Sequence, residues 1–313
     1  MENLIIASSP HIRTKDSVRG IMLDVIIALI PATVAAGIIF GGKALALCAV
    51  SIVTCVAAEY LFNLIVGKKC TIGNLSAVLT GLLLGLNLST NVELWQCAIG
   101  AVVAIVIAKG LFGGIGKNFA NPAITGRVFM IIAFSSVAGG AAPAVVDVVS
   151  SATPLEMMAA GADTLPTVGQ MLLGVHASGA VGETCIIALV LGYIYLCARR
   201  VIKWYVPFGF IATVFVLSLI ISGDGSYALY QTLGGGVFLG AIFIATDYVS
   251  TPLTSRGKLV FAIGCGVLTV IIRHCFGYPE GVSFSILIMN LLVWYIDKLT
   301  MPRPFGGKAN GKK

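Results

Sequence analysis

Long apolar runs separated by short polar intervals constrain this chain more than any other feature. Only 11% of its 313 residues are charged, against roughly 25% in an ordinary soluble domain. A chain with so few charges cannot cover a folded core with water-facing side chains. We therefore expect an all-α polytopic membrane protein with ten spans. They lie at about residues 20–40, 44–66, 76–88, 94–111, 124–137, 184–197, 204–221, 232–245, 259–272 and 282–296.

The basic residues are placed as membrane topology requires. Ten spans put both termini on one side, and of the 20 Lys and Arg residues only Lys43 and Arg273 then fall on the other. The positive-inside rule makes the side of the termini cytoplasmic. The net charge of +7 is accounted for by this topology, so we expect the lipid bilayer as a partner and no nucleic acid.

An internal repeat predicts two halves. Residues 71–90 align without a gap to residues 232–251, with Thr-x-Gly at the start and Ser-Thr at the end of each. Five spans per half would invert the halves, and Gly-interrupted spans at matching positions of inverted halves indicate a midplane site or pathway. A chance match between two Gly-rich apolar stretches is the alternative. The predicted divisions are a cytoplasmic segment (1–19), a first half (20–137), an extracytoplasmic loop (138–183), a second half (184–296) and a basic cytoplasmic tail (297–313).

The long polar loop carries a motif that suggests a chemical role. Asp147, Ser150, Ala152 and Thr153 form the pattern D-x-x-S-x-A-T, followed by Pro154. The pattern looks like the acceptor sequence on which a flavin transferase links FMN to a threonine hydroxyl through a phosphoester. Such a bond needs an exposed hydroxyl on a flexible segment, and a proline cannot continue a helix from the residue before it. An ordinary Ser/Thr-rich loop is the alternative.

Three acidic residues lie in or beside apolar runs and are candidates for an ion pathway. They are Asp24, Glu59 and Asp247. A carboxylate is costly inside a bilayer, so such residues usually face a cavity or a partner. Asp24 is only a few positions into its span, so a headgroup-level residue is its alternative, and Glu59 is the stronger candidate.

A polar Gly/Asn-rich segment at residues 113–127 is a second candidate binding site. Its Asn118 and Asn121 offer amide donors and acceptors suited to an isoalloxazine or sugar edge. A re-entrant turn with capping asparagines is the alternative. The eight cysteines form no CxxC pair, so we expect no metal or iron–sulfur cluster in this chain.

Two further features have less specific interpretations. Arg273 could pair with Glu280 or meet a flavin phosphate, and an interfacial anchor is the alternative. The run Gly234-Gly235-Gly236 lies in an apolar stretch and is expected to allow close helix packing. No Walker loop, dinucleotide fingerprint or Ser/His/Asp arrangement is present.

Taken together, these segments resemble a known family. It contains the D subunits of Rnf complexes, which are ion-translocating ferredoxin:NAD oxidoreductases, and the B subunits of sodium-translocating NADH:quinone oxidoreductases. The resemblance covers nearly the whole chain and rests on residues 8–11, 113–118, 121–123, 150–155, 245–247, 251–254, 273 and 277–281. Many members have glycine where this chain has Ser151. The lead-in of only 19 residues before the first span is shorter than the extension of the quinone-linked subunit, which favours the Rnf member.

The resemblance implies a fold, cofactors and partners. The fold is similar to that of urea and ammonium channels, with FMN covalently bound to Thr153 and a second, non-covalent riboflavin that we place near Asn118 and Asn121. The implied partners are ferredoxin- and NAD-side subunits, a second FMN-carrying subunit, membrane iron–sulfur subunits and a flavin transferase. The location is the bacterial cytoplasmic membrane, and the activity is electron transport coupled to Na⁺ or H⁺ movement. The alternatives are a B-type subunit and a non-redox channel or transporter of the same fold.

Overall fold

The computed structural model describes residues 17–68, 71–134, 153–159, 165–175, 179–276 and 281–302, and within these ranges the regular structure is entirely helical. The first part contains α1 (Val18–Phe40), α2 (Gly42–Val66), α3 (Ser76–Leu86), α4 (Leu94–Val103, continued by a π-helical turn Ala104–Gly110) and α5 (Pro122–Ala133). Two short helices follow, α6 (Pro154–Ala159) and α7 (Val168–Leu173). The remainder contains α8 (Ile186–Ala198), α9 (Tyr205–Ser222), α10 (Gly225–Leu233), α11 (Val237–Leu239, continued by a π-helical turn Gly240–Ile244), α12 (Ser255–Cys275) and α13 (Gly281–Thr300).

The helices confirm an all-α protein with several candidate membrane spans. Five of the described helices, α1, α2, α9, α12 and α13, are long and apolar enough to cross a bilayer. The pair α10 and α11 passes the same test together but is bent by 60°. Four shorter apolar helices, α3, α4, α5 and α8, make up the rest of the apolar set.

The run at residues 232–245 differs from the single span expected there. The helical conformation is interrupted at Gly234–Gly236, where Gly235 and Gly236 adopt φ values of 66° and 71°. Residues with side chains rarely adopt such values, so glycine is suited to this position. The triple glycine therefore ends one helix and starts another, a role in addition to the close packing expected of it, since a Cβ on Gly234 would lie 3.0 Å from Leu155 Cγ.

Helix α3 is the most deeply buried element of the first part, and two glycines bring it against α2. A Cβ atom on Gly81 would lie 2.6 Å from the Cα of Ile52, and one on Gly85 would lie 2.8 Å from the Cα of Cys48. The two glycines are one turn apart, so they present a flat strip to α2. This contact fixes Ser76, at the first turn of α3, relative to α2 and α4.

The two stretches aligned by the internal repeat share local geometry. Helix α3 begins directly after Leu75, with φ of 60°, and α11 begins directly after Gly236, the residue aligned to it. Extending the same alignment pairs the first residues of α4 and α12, Leu94 and Ser255. The π-helical turns do not match, since one lies in α4 and the other in α11.

Candidate functional site

Asn118 and Asn121 line a recess between the two parts of the chain, which we call the asparagine cavity. It is an open recess, with about 760 Å³ of space between the atoms when the adjoining solvent is counted, and its walls come from α1, α3, α4, α8, the 115–122 segment and residues 201–202 and 243–249. Thr246 and Asp247 lie in the same wall.

Asn121 has a structural role in this wall. Its side-chain Oδ1 accepts hydrogen bonds from the backbone N–H groups of Ala123 (3.0 Å) and Ile124 (3.4 Å), so it caps the start of α5. Its Nδ2 donates to Asp247 Oδ2 at 3.5 Å, and Ser250 Oγ donates to the same oxygen at 2.7 Å. The cap and the carboxylate thus fix one face of the cavity.

Asn118 differs from Asn121 because its buried Oδ1 has no hydrogen-bond partner among the described residues. A buried acceptor without a donor costs about 1–3 kcal/mol. Such an atom in a cavity wall is suited to accept a hydrogen bond from a ligand N–H or O–H group. The capping interpretation therefore fits Asn121, and the ligand interpretation fits Asn118.

Glu59 forms a buried ion pair with a lysine that sequence reasoning did not select. Lys109 Nζ lies 2.7 Å from Glu59 Oε2 and 2.7 Å from Ser76 Oγ, and both charged side chains are about 5% exposed or less. The other oxygen of Glu59 accepts a hydrogen bond of 2.5 Å from Thr71 Oγ1. Lys109 lies near the end of a predicted span, where a lysine is normally expected to snorkel to the surface. Lys109 instead lies in a π-helical turn, and the sequence pattern did not predict that turn.

Lys109 lies in the walls of two cavities. Besides the asparagine cavity, it lines a second recess of about 710 Å³, which we call the glutamate cavity because Glu59 lines it, together with Asn63, Lys68 and Thr71. Ser76 faces the asparagine cavity, and Glu59 faces the glutamate cavity. The ion pair is therefore part of the partition between them.

Asp24 lies apart from both cavities. It pairs with Arg199 (3.2 Å), which is 59% exposed, and accepts a hydrogen bond from Tyr195. These residues join the first turns of α1 to the end of α8. The position agrees with a headgroup-level residue, since a long, exposed arginine accompanies it.

Thr153 is buried, in contrast to the exposed hydroxyl expected from the motif. It is 7% exposed and forms a capping box with Glu156 at the start of α6. The Thr153 N–H donates to Glu156 Oε2 (2.7 Å), and the Glu156 N–H donates to Thr153 Oγ1 (3.2 Å). The motif residues Asp147, Ser150 and Ala152 lie outside the described residues. The T-x-x-E spacing was present in the sequence and could have predicted the cap.

Thr153 also lines a third recess, the threonine cavity, of about 480 Å³. Its walls include Met171, Glu183 and the two glycines Gly234 and Gly235 at the break between α10 and α11. The motif threonine is thus brought against the broken element, although the two are 81 or more residues apart in sequence.

Arg273 binds the backbone at the break between α10 and α11, so it is not the interfacial anchor considered from sequence. It is 9% exposed, and its guanidinium donates to the backbone carbonyls of Gln231, Gly234 (3.0 Å) and Gly235 (3.0 Å). The last carbonyl groups of a helix have no intrahelical donor. Those at the end of α10 lie at the break, where the buried Arg273 reaches them. A cationic fork can satisfy several at once. The alternative partner, Glu280, lies outside the described residues.

Known proteins match the chain over nearly its whole length. It is 41% identical over 307 residues to the D subunit of the Na⁺-translocating ferredoxin:NAD⁺ oxidoreductase complex of Acetobacterium woodii, covering 97% of this chain and 96% of that protein. It is 39% identical to the D subunit of the proton-translocating ferredoxin:NAD⁺ oxidoreductase complex of Clostridium ljungdahlii, covering 96% of each. It is 34% identical to the D subunit of the ion-translocating oxidoreductase complex of Stutzerimonas stutzeri, covering 95% of each. With residues 5–306 matching the family's own profile, the chain belongs to the NQR2, RnfD, RnfE family.

Proposed function

We propose that this chain is the membrane subunit of an ion-translocating ferredoxin:NAD oxidoreductase and carries FMN esterified to Thr153. The observation that carries the proposal is the position of Thr153, with its motif sequence, in the wall of a cavity at the break between α10 and α11. The names of the relatives support the same complex. As part of that complex the chain acts as an oxidoreductase subunit and is not active alone.

The residues of the threonine cavity fit a tethered cofactor. Thr153 would hold the phosphate through its Oγ, and the capping box with Glu156 would fix the direction of the attachment bond. The flavin supplies the electron-transfer chemistry, and the protein supplies place and electrostatics. A covalent link suits a carrier facing an outer compartment, because it prevents loss to the medium.

The residues of the asparagine cavity fit a second, non-covalent flavin, for which we propose riboflavin. The isoalloxazine ring has an N–H donor and carbonyl acceptors along one edge, and the buried Oδ1 of Asn118 needs a donor. Apolar side chains of α1 and α3, including Met22, Val25 and Leu79, line the same cavity and suit a flat aromatic ring.

We further propose ten spans arranged as two inverted halves, similar to urea and ammonium channels. The five long helices, the bent pair and the four shorter apolar helices make ten elements. The matching starts of α3 with α11 and of α4 with α12 support a repeat. This arrangement puts both termini in the cytoplasm and the Thr153 loop on the opposite side of the bacterial cytoplasmic membrane.

The coupled ion is Na⁺ or H⁺, in keeping with the relatives, one named for each. Among the three pathway candidates, Glu59 and Asp247 line cavities, whereas Asp24 pairs with an exposed arginine. Glu59 and Asp247 are therefore the better candidates. The expected partners are the ferredoxin- and NAD-side subunits, a second FMN-carrying subunit, membrane iron–sulfur subunits and, during maturation, a flavin transferase.

Attachment is tested by coexpression with a flavin transferase, followed by denaturing electrophoresis with in-gel fluorescence and intact-mass measurement. We expect an added FMN in the native chain and none in Thr153→Ala. Thr167→Ala is the matched control, because Thr167 forms an equivalent capping box with Gln170 at the start of α7. Fluorescence that persists in Thr153→Ala would refute attachment at this residue. A chain that stays colourless, with no flavin of either kind, would favour a non-redox channel or transporter.

A further inference from the structure

The two members of the Glu59–Lys109 ion pair differ in their position relative to the asparagine cavity. Lys109 and its partner Ser76 line this cavity, whereas Glu59 lines only the glutamate cavity behind it. Of the two charged residues only Lys109 lines the asparagine cavity, and its Nζ donates to Ser76 of the same wall, although Lys109 also lines the glutamate cavity. Lys109 is about 3% exposed and Glu59 about 4%, so little solvent screens the two charges.

A buried, oriented pair acts on any charge that develops in the cavity it faces. The two charges cancel at long range, but a charge in the asparagine cavity is nearer to the ammonium than to the carboxylate. Coulomb energies fall with distance and grow as the dielectric constant drops. The pair thus favours negative charge in this cavity. Asp247 lines the same cavity and opposes that preference, so among the described residues a ligand there meets two charged features, this pair and Asp247.

We propose that Lys109 is the residue that favours the reduced form of a flavin in the asparagine cavity, and that Glu59 is a positioning residue that holds Lys109 and attenuates its charge. This inference rests on the proposed function. Uptake of two electrons and one proton leaves one negative charge on an isoalloxazine ring. In the test below the electrons come from dithionite, which is oxidised, and the proton comes from water.

Glu59 would then act on the cavity only through Lys109. Its carboxylate is held by two donors, Lys109 Nζ at 2.7 Å and Thr71 Oγ1 at 2.5 Å. Removing the carboxylate charge leaves the ammonium uncompensated, whereas removing the ammonium leaves the carboxylate uncompensated. The two changes should shift the reduction equilibrium in opposite directions, which a purely structural role for the pair would not do.

The experiment is a dithionite titration of the non-covalent flavin in the purified full-length chain, with Thr153→Ala as the parent so that only this flavin is observed. Lys109→Met should lower the reduction equilibrium constant at least tenfold, about 30 mV for a two-electron couple. Glu59→Gln should raise it. Lys68→Met is the control, because Lys68 lines the glutamate cavity and not the asparagine cavity.

A charge-exchange variant covers the case in which an unpaired buried charge prevents folding. Glu59→Lys combined with Lys109→Glu keeps two opposite charges together and reverses their direction, and it should lower the equilibrium constant. Bound flavin whose potential is the same in all these variants would overturn the inference and leave the proposed function standing. A Thr153→Ala parent that binds no flavin would overturn both the inference and the riboflavin assignment.

Discussion

Gly81→Ala tests whether the contact between α3 and α2 fixes the partition between the two cavities. The added Cβ would lie 2.6 Å from the Cα and 2.8 Å from the N of Ile52, and 2.9 Å from the backbone O of Ser51. All three are backbone atoms of α2, so no side-chain rotation can relieve the contact. Ordinary contacts begin at 3.4 Å, so α3 must retreat by about 0.8 Å.

The cost of this retreat can be bounded. Overpacking by one methyl group in a dense interior typically costs about 1–3 kcal/mol. Alanine has a higher helix propensity than glycine, which offsets this cost by roughly 1 kcal/mol. A rigid α3 therefore predicts a net loss of up to about 2 kcal/mol in the free energy of unfolding. The retreat also displaces Ser76 relative to Glu59 of α2, and so disturbs the contact of Ser76 with Lys109, because Ser76 is in the first turn of the same helix.

The assay is detergent-solubilised protein titrated with denaturing detergent and followed by tryptophan fluorescence, with flavin retention as a second measurement. Gly42→Ala is the matched control, because a Cβ there meets nothing within 4 Å. We expect lower stability and weaker flavin retention in Gly81→Ala than in the control. Equal stability of the two variants would refute the argument that the glycine is required for close approach.

Three further changes test other contacts. Arg273→Met should lower the free energy of unfolding by about 3 kcal/mol, because three buried carbonyls lose a donor at about 1 kcal/mol each; a denaturant titration indistinguishable from the parent would contradict this. Asp24→Asn should leave stability unchanged in the same titration, since its ion-pair partner Arg199 is largely solvated, and a clear loss would show a buried role. Glu156→Ala should leave the rate of flavin attachment unchanged in a time course of in-gel fluorescence, because it removes only the acceptor of the Thr153 N–H while the backbone N–H of residue 156 still donates to Thr153 Oγ1; a changed rate would show that the Glu156 carboxylate controls access to the hydroxyl.

The prediction for the asparagine segment shows how far sequence reasoning reached. The polarity of residues 113–127 identified a segment that cannot face lipid, and both Asn118 and Asn121 line the cavity. The sequence could not tell that one asparagine caps α5 while the other has a buried acceptor to offer. That difference depends on which neighbouring N–H groups come within reach after folding.

The threonine motif shows the opposite limit. A local pattern nominated Thr153, and its role as an attachment site stays a prediction, whereas the expected exposure of its hydroxyl was wrong. Whether a loop residue is exposed depends on the tertiary structure around it, and here Thr153 shares a recess with Gly234 and Gly235 of a distant break. Asp147, Ser150 and Ala152 remain predictions.

Local composition was enough to establish the class of protein and to nominate a candidate attachment motif. Few charges along long apolar runs leave a helical membrane protein as the only class that fits, and the D-x-x-S-x-A-T pattern suffices to nominate a threonine. The packing of the helices was needed to establish that Glu59 forms an ion pair with Lys109 and that Arg273 donates hydrogen bonds to the backbone at the end of α10. These partners lie 50 and about 40 positions apart in sequence. A buried charge pairs with an opposite charge or an unbonded carbonyl oxygen that lies near it in space, and that proximity is set by the tertiary fold.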